Sequence, residues 1–308
     1  MGGSSGGSEH RTRNEDTKMA AAKTDPSRAT IRASYFDSER LQSLADQYRS
    51  EYQNAAPFPH VVIDDFLREE DLDLVLQEFL QSQDEAWLRF DNVREKKLAE
   101  RRETSFGPFT RHLLAANFNS SVFLEFLESL TGIDGLIPDP YYEGGGLHQI
   151  VPGGFLKVHA DFNWHKDLKL DRRLNVIVYL NRDWREEYGG HLELWDRQMT
   201  RCERRVLPVF NRCVIFSTTD FSYHGHPEPL TCPEGMTRKS LALYYYSNGR
   251  PAEELSEAHS TLFQSRPGEV MRRDVTELKR RPEAIAKALL PPIVMEKIVA
   301  LRERRKRQ

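Results

Sequence analysis

Residues 155–195 read FLKVHADFNWHKDLKLDRRLNVIVYLNRDWREEYGGHLELW. Three apolar runs, FLKVHA (155–160), LNVIVYL (174–180) and HLELW (191–195), stand between charged or Gly-Gly segments. Runs of this length with turn signals between them predict strands rather than helices. The pattern continues outward through HQIV (148–151), CVIF (213–216) and SLALYYY (240–246), with glycines at 144–146, 153–154 and 189–190 as punctuation. Such a series is the signature of an antiparallel sandwich or barrel, here expected over 139–250.

The flanks read differently. Residues 1–30 open with a Gly/Ser repeat resembling an added linker and show no sustained apolar period, so a disordered arm is expected. Over 31–138 the spacing predicts a helix from Ala33 to about Asn54, a strand at His60–Ile63 and a helix from Leu67 to about Leu80. A further helix over Ser121–Leu130 is expected to stop at Gly132. The charged stretch at 90–103 reads as a solvated face or loop whose basic residues could touch a substrate. Over 251–308 a helical extension is expected, Ala284–Leu290 and Ile293–Leu301 around Pro291-Pro292, closed by the basic RERRKRQ.

Composition excludes some classes of function. Of 308 residues, 39% are apolar, enough to build a core. Forty-four basic against 47 acidic residues leave a charge of -3, so no nucleic-acid partner is expected. No apolar run approaches the roughly 18–20 residues of a membrane span, and no signal-peptide core is present at the start. Cys202, Cys213 and Cys232 form no short pair, which argues against a disulfide framework or zinc knuckle and points to a reducing, cytoplasmic setting.

The chemistry concentrates in the strand-rich region. His159 and Asp161, two apart, can share one face of a strand or its exit and reach a single divalent metal. His224 follows in TTDFSYHGHPEPL, and Arg238 heads the strand RKSLALYYY. Two histidines and a carboxylate leave open positions on an iron, while a guanidinium can grip a carboxylate through paired hydrogen bonds.

With KVHADF, VIVYLNRDWREEYGGHLELW, the PVFNR turn at 208–212, CVIFSTTDFSYHGHPEPL and TRKSLALYYY in this order, the chain resembles the prolyl-4-hydroxylase-like branch of the iron(II)/2-oxoglutarate dioxygenases over about 141–249. The resemblance extends to PFPHVVIDDFL near the start. It implies a mainly β fold with flanking helices, a double-stranded β-helix (jelly-roll, cupin-like) barrel. It makes His159, Asp161 and His224 the Fe(II) ligands and Arg238 the partner of the distal carboxylate of 2-oxoglutarate. Tyr179 is implied to support that carboxylate, with packing in the barrel interior as the competing reading. Gln149 stands where relatives carry a tyrosine near the co-substrate and is the co-substrate-binding candidate there, a departure that leaves the contacts at that end of the site open. The implied reaction consumes O2 and 2-oxoglutarate, yields succinate and CO2 and hydroxylates an unactivated C–H bond, with ascorbate as a candidate helper.

Other residues compete for roles. His226 is an alternative ligand or a lining residue of the mouth. Trp164 and His165 read as a loop over the entrance, His148 and His191 as structural, and Tyr244, Tyr245 and Tyr246 as packing. A prolyl residue in a protein or peptide is the expected substrate, with a free amino acid or small natural product as the alternative. A non-catalytic cupin-like binding module and a zinc hydrolase are further readings, the latter with no need for the buried arginine. Against an AlkB-type demethylase, which carries a second arginine six residues after the first, Tyr244 stands six after Arg238. Oligomeric state is open.

Overall fold

Asp37 opens the first helix by accepting from the Arg40 amide at 3.1 Å, and α1 (Ser38–Asn54) buries Leu41, Ala45 and Tyr52 along one face. It begins later than Ala33 because Tyr35 and Phe36 turn into the core, where Asn117 Oδ1 holds the Tyr35 amide at 2.8 Å. The computed structural model describes residues 1–3, 32–81 and 83–269. The chain divides between Ile31 and Arg32 into two units, and only residues 1–3 of the first are described. The expected N-terminal arm and the helices at Ala284–Leu290 and Ile293–Leu301 therefore lie outside the described residues.

After α1, β1 (His60–Ile63) leads into α2 (Glu69–Glu78), shorter than expected, with three acids in its first turn, where a helix N-terminus favours negative charge. A hairpin follows, β2 (Leu88–Asp91) and β3 (Glu95–Glu100). This corrects the reading of 90–103 as a solvated face or loop. Leu98 and Ala99 are buried on β3, while Glu95 and Lys97 turn into a polar cavity inside the barrel. A strand that walls a polar cavity need not be apolar.

The short helix α3 (Pro108–His112) and a wider-wound turn over Leu113–Phe118, neither expected, lead to α4 (Ser121–Thr131). Ser120 caps α4 through the Phe123 amide, and Gly132 ends it in the left-handed conformation at φ 75°, as expected. Phe123 is fully buried, with ring centroids 4.8 Å from Phe36, 4.9 Å from Phe118 and 5.9 Å from Tyr245.

The remaining strands are β4 (Ile137–Pro138), β5 (Gly146–Ile150), β6 (Phe155–Ala160), β7 (Trp164–His165), β8 (Leu170–Tyr179), β9 (Leu192–Trp195), β10 (Cys202–Val206), β11 (Cys213–Ser217), β12 (His224–His226), β13 (Arg238–Ser247) and β14 (Leu262–Phe263). Every pairing among them is antiparallel, in the order β1-β11-β8-β13-β5-β3-β6-β12-β9-β10. The two-residue β14 adds to the end of β6. The sheet rolls up so that residues of β3, β5, β6, β8, β12 and β13 face one interior, alternating along β3, β5 and β13 and shifted by register irregularities where β8 and β12 pair.

The outer face of β8 and β13, through Val176, Val178, Leu241, Leu243 and Tyr245, shares one apolar cluster with α1, α2 and α4. Asn211, at φ 61° in the turn before β11, clamps the segment between β1 and α2 by bonding both the amide and the carbonyl of Leu67. Phe123→Ala is expected to cost about 3–5 kcal/mol of stability, because its cluster joins α4 to β13. Urea denaturation checks this, and a loss below about 1 kcal/mol would mean the cluster does not tie helix to barrel.

Candidate active site

His159 on β6 lies directly opposite His224 on β12, with ring centroids 4.5 Å apart. Glycine lets the strands come this close, since a Cβ at Gly225 would stand 2.8 Å from the Leu156 carbonyl and 3.0 Å from that of Lys157. Asp161, just past the end of β6, faces both rings, at 3.5 Å from His159 Nε2 and 3.4 Å from His224 Nε2. Each Nδ1 lies 2.9 Å from a backbone carbonyl, of Lys157 and of Ser222. A carbonyl only accepts, so each Nδ1 donates and each Nε2 keeps its lone pair for the space beside Asp161.

Burial pushes the His224 ring down to about 4, with Asp161 offsetting part of the effect. Burial also pushes Asp161 up, but Arg172, His224 and His159 outweigh it and hold the carboxyl well below its usual range. Two neutral imidazoles and a carboxylate with ligand atoms within 4.8 Å of one another are a donor set that calls for a divalent cation.

Asp161 is itself held in place. Its Oδ2 accepts from Arg172 Nη2 at 2.9 Å and Asn175 Nδ2 at 2.7 Å, and Asn175 Oδ1 in turn accepts from Arg172 Nε and Nη2. Arg172 is sandwiched between Phe162 and Tyr244, 4.5 and 3.5 Å from their ring centroids. A register shift in β8, where Tyr245 pairs with Leu174 but Tyr246 with Arg172, lets Arg172 and Asn175 face the same interior. Sequence reasoning missed both residues. The available signal was the charged DRRLN at the head of a strand that is otherwise apolar.

Arg238 heads β13, and its side chain lines the same cavity of about 200 Å3 as the triad. It is 5% exposed, donates from Nε to the Gly190 carbonyl at 2.8 Å and from Nη2 to the Tyr179 hydroxyl at 3.2 Å, and meets no carboxylate among the described residues. Burial lowers its pKa, a sign that the charge lacks a counterion. Tyr179, fully buried on β8, reaches the cavity only through that contact with Arg238.

Gln149 is not brought to this cavity. His148 and Ile150, its neighbours on β5, face inward, so Gln149 faces out, bonds Thr237 Oγ1 at 2.8 Å and lines an outer depression with Phe79 and Lys239. The expectation that it contacts the co-substrate is corrected by this strand parity. His148, read as structural, lines the cavity instead, as does Tyr244, read as packing. His226 also lines it, outside the cluster of three. His165 is buried on β7 beside Asp139, at 3.5 Å, in a strand rather than a loop, and with Trp164 it lines a groove adjoining the cavity. His191 sits 2.8 Å from Glu186, in keeping with a structural place. Lys97 from the hairpin and Thr261 and Phe263 from the C-terminal segment complete the cavity wall.

Residues 145–246 match the family model of the 2OG-Fe(II) oxygenase superfamily. Prolyl 3-hydroxylase OGFOD1 of Mus musculus is 30% identical over 86 residues, which cover 27% of this chain and 15% of that protein. A prolyl hydroxylase from Trichoplax adhaerens, solved in complex with a hypoxia inducible factor oxygen degradation domain peptide fragment, superposes with a TM-score of 0.51. It is 17% identical and covers 68% of this chain and 91% of its own. That superposition shows a shared jelly-roll fold.

Two outcomes follow from the geometry. Arg172→Ala and Asn175→Ala are each expected to weaken Mn(II) binding about ten- to a hundredfold by releasing Asp161, as read by competition titration. The metal-free protein is expected to lose stability as the pH falls. His224 is neutral when folded down to about 4, and His226 is held well below its usual range by burial first and Arg238 next, whereas both protonate near about 6.5 when unfolded. Their contribution is complete above about pH 6.5 and drains away between there and about 4. Urea midpoints across that window check it, and a midpoint that rises as the pH falls would contradict it.

Proposed function

We propose that this chain, whose barrel belongs to the 2OG-Fe(II) oxygenase superfamily, hydroxylates a prolyl residue in a protein or peptide at the expense of 2-oxoglutarate and O2. The observation that carries the reading is Arg238, a buried guanidinium without an acid, in one cavity with His159, Asp161 and His224. An uncompensated buried charge is costly, and a ligand carboxylate would compensate it through paired hydrogen bonds. A zinc hydrolase would leave that charge unexplained.

The residues fit the group the superfamily uses. His159, Asp161 and His224 would hold Fe(II) through two imidazole nitrogens and one carboxylate oxygen, leaving positions open for a co-substrate. When bound, iron and 2-oxoglutarate supply the oxidising chemistry, in which O2 is consumed, succinate and CO2 form and a C–H bond becomes C–OH. The protein does the rest. Arg172 and Asn175 fix the orientation of Asp161, Tyr179 steers Arg238, and Arg238 grips the distal carboxylate. Leu156, Ile177 and Leu192 line the interior with apolar surface that keeps bulk water from the reacting atoms.

The polypeptide part of the proposal is supported by a groove of about 460 Å3 that shares Phe162 and Thr261 with the cavity and runs past Trp164 and Lys166. A groove walled by Phe162 and Trp164 suits a proline-containing segment. The names of the relatives, prolyl hydroxylases acting on the 3-position or solved with a peptide, point the same way. Three free cysteines support a reducing, cytoplasmic setting.

The test is succinate formation by protein supplied with Fe(II), 2-oxoglutarate, O2 and ascorbate, with proline-containing peptides and free amino acids as separate substrates. A gain of one oxygen on a peptide is expected, and gain only on free amino acids would overturn the polypeptide reading. His159→Ala should abolish turnover. Arg238→Met should raise the KM for 2-oxoglutarate at least tenfold, as expected for loss of a charge-assisted contact. An unchanged KM would mean Arg238 binds something else.

A further inference from the structure

Among the polar groups of the cavity that the scheme above does not use, His226 has no partner. His226 is 3% exposed, and neither its Nδ1 nor its Nε2 has a hydrogen-bond partner. Among the described residues it is the only histidine of which this is true, because the others each bond at least one ring nitrogen. Two residues beyond His224 on β12, its ring shares the inward face and lines the cavity with Arg238 and Lys97.

A buried imidazole always carries at least one N–H, and native proteins rarely leave such a donor unmet. Leu156, its partner in the β6 register, has no side chain that can meet it. Arg238 and Lys97 are donors only, so they cannot accept from it. Three sets of donors therefore open into one small space. Of the two acids lining that space, Glu95 is engaged by Lys97 at 3.1 Å, and Asp161 by Arg172 at 2.9 Å and Asn175 at 2.7 Å. What suits the remaining donors together is a ligand with several lone pairs on one group, as a carboxylate has.

We propose that His226 is a second anchor for the distal carboxylate of bound 2-oxoglutarate, donating a ring N–H to the group that Arg238 grips. This rests on the reading of the site given above and deepens it, by making co-substrate recognition the work of an arginine and a histidine from different strands.

The experiment is calorimetric binding of 2-oxoglutarate, and of pyruvate, which lacks the distal carboxylate, to the Mn(II)-loaded protein. His226→Val is expected to weaken 2-oxoglutarate binding about ten- to a hundredfold, the range for a hydrogen bond to a charged group. It should leave pyruvate and Mn(II) affinities within about twofold, and His226→Gln, which keeps a donor, should restore most of the loss. If the valine variant does not fold, His226→Leu, larger and likewise without a donor, must show the same selective loss.

An unchanged 2-oxoglutarate affinity in a folded variant would overturn the proposal. So would an equal loss for pyruvate, which would place the contact at the metal end. If the parent protein binds Mn(II) but not 2-oxoglutarate, the co-substrate reading itself falls and this inference with it, an outcome plainly different from a parent that binds and a variant that binds equally well.

Discussion

Arg172 is 1% exposed, and the carboxylate that meets its charge is Asp161. A guanidinium left alone at such depth would cost several kcal/mol, so Asp161 has to stay ionised, and its oxygens cannot wander. That constraint sets the rest of the site. An ionised, immobile Asp161 gives His159 and His224 a fixed anion to converge on. The ring of Tyr244 that stacks on Arg172 comes from β13, the strand that also delivers Arg238. One buried ion pair thus couples the ends of β6, β8 and β13.

The cavity is electrically two-ended. At one end sit a carboxylate and two imidazole lone pairs, which attract a cation. At the other, Arg238 presents positive charge beside His148, His226 and the Lys97–Glu95 pair. The barrel walls between them are partly apolar, so each end acts in a weakly screened medium where its sign counts for more than at the surface. A cation and a dicarboxylate occupying such a space would each neutralise the end that needs it.

Much of this was legible in the sequence, for identifiable reasons. His159, Asp161, His224 and Arg238 sit on or beside short apolar runs bounded by turn residues, so their strand positions could be read from the runs. Gln149 could not be placed, because side-chain period in a strand is two and the parity of β5 is set by pairing with β3 and β13 rather than by its own residues. Arg172 and Asn175 were hidden by the register shift in β8, which breaks the alternation a reader would assume. The hairpin of β2 and β3 is charged in sequence like a solvated loop, yet Lys97 and Glu95 face a polar interior. Strands of two or three residues, such as β7, β12 and β14, carry no periodicity to detect.

The wall beside His159 is made by Phe263, whose ring lies 5.5 Å from the imidazole and whose strand pairs with β6 across 104 positions of sequence (263 − 159). By the time that segment leaves a ribosome, every residue of the metal triad has already been synthesised. The nascent barrel would then pass through a stage in which its ligands are complete and one flank is still open. Among the residues that line the pocket, those of the β14 segment are the last to be synthesised.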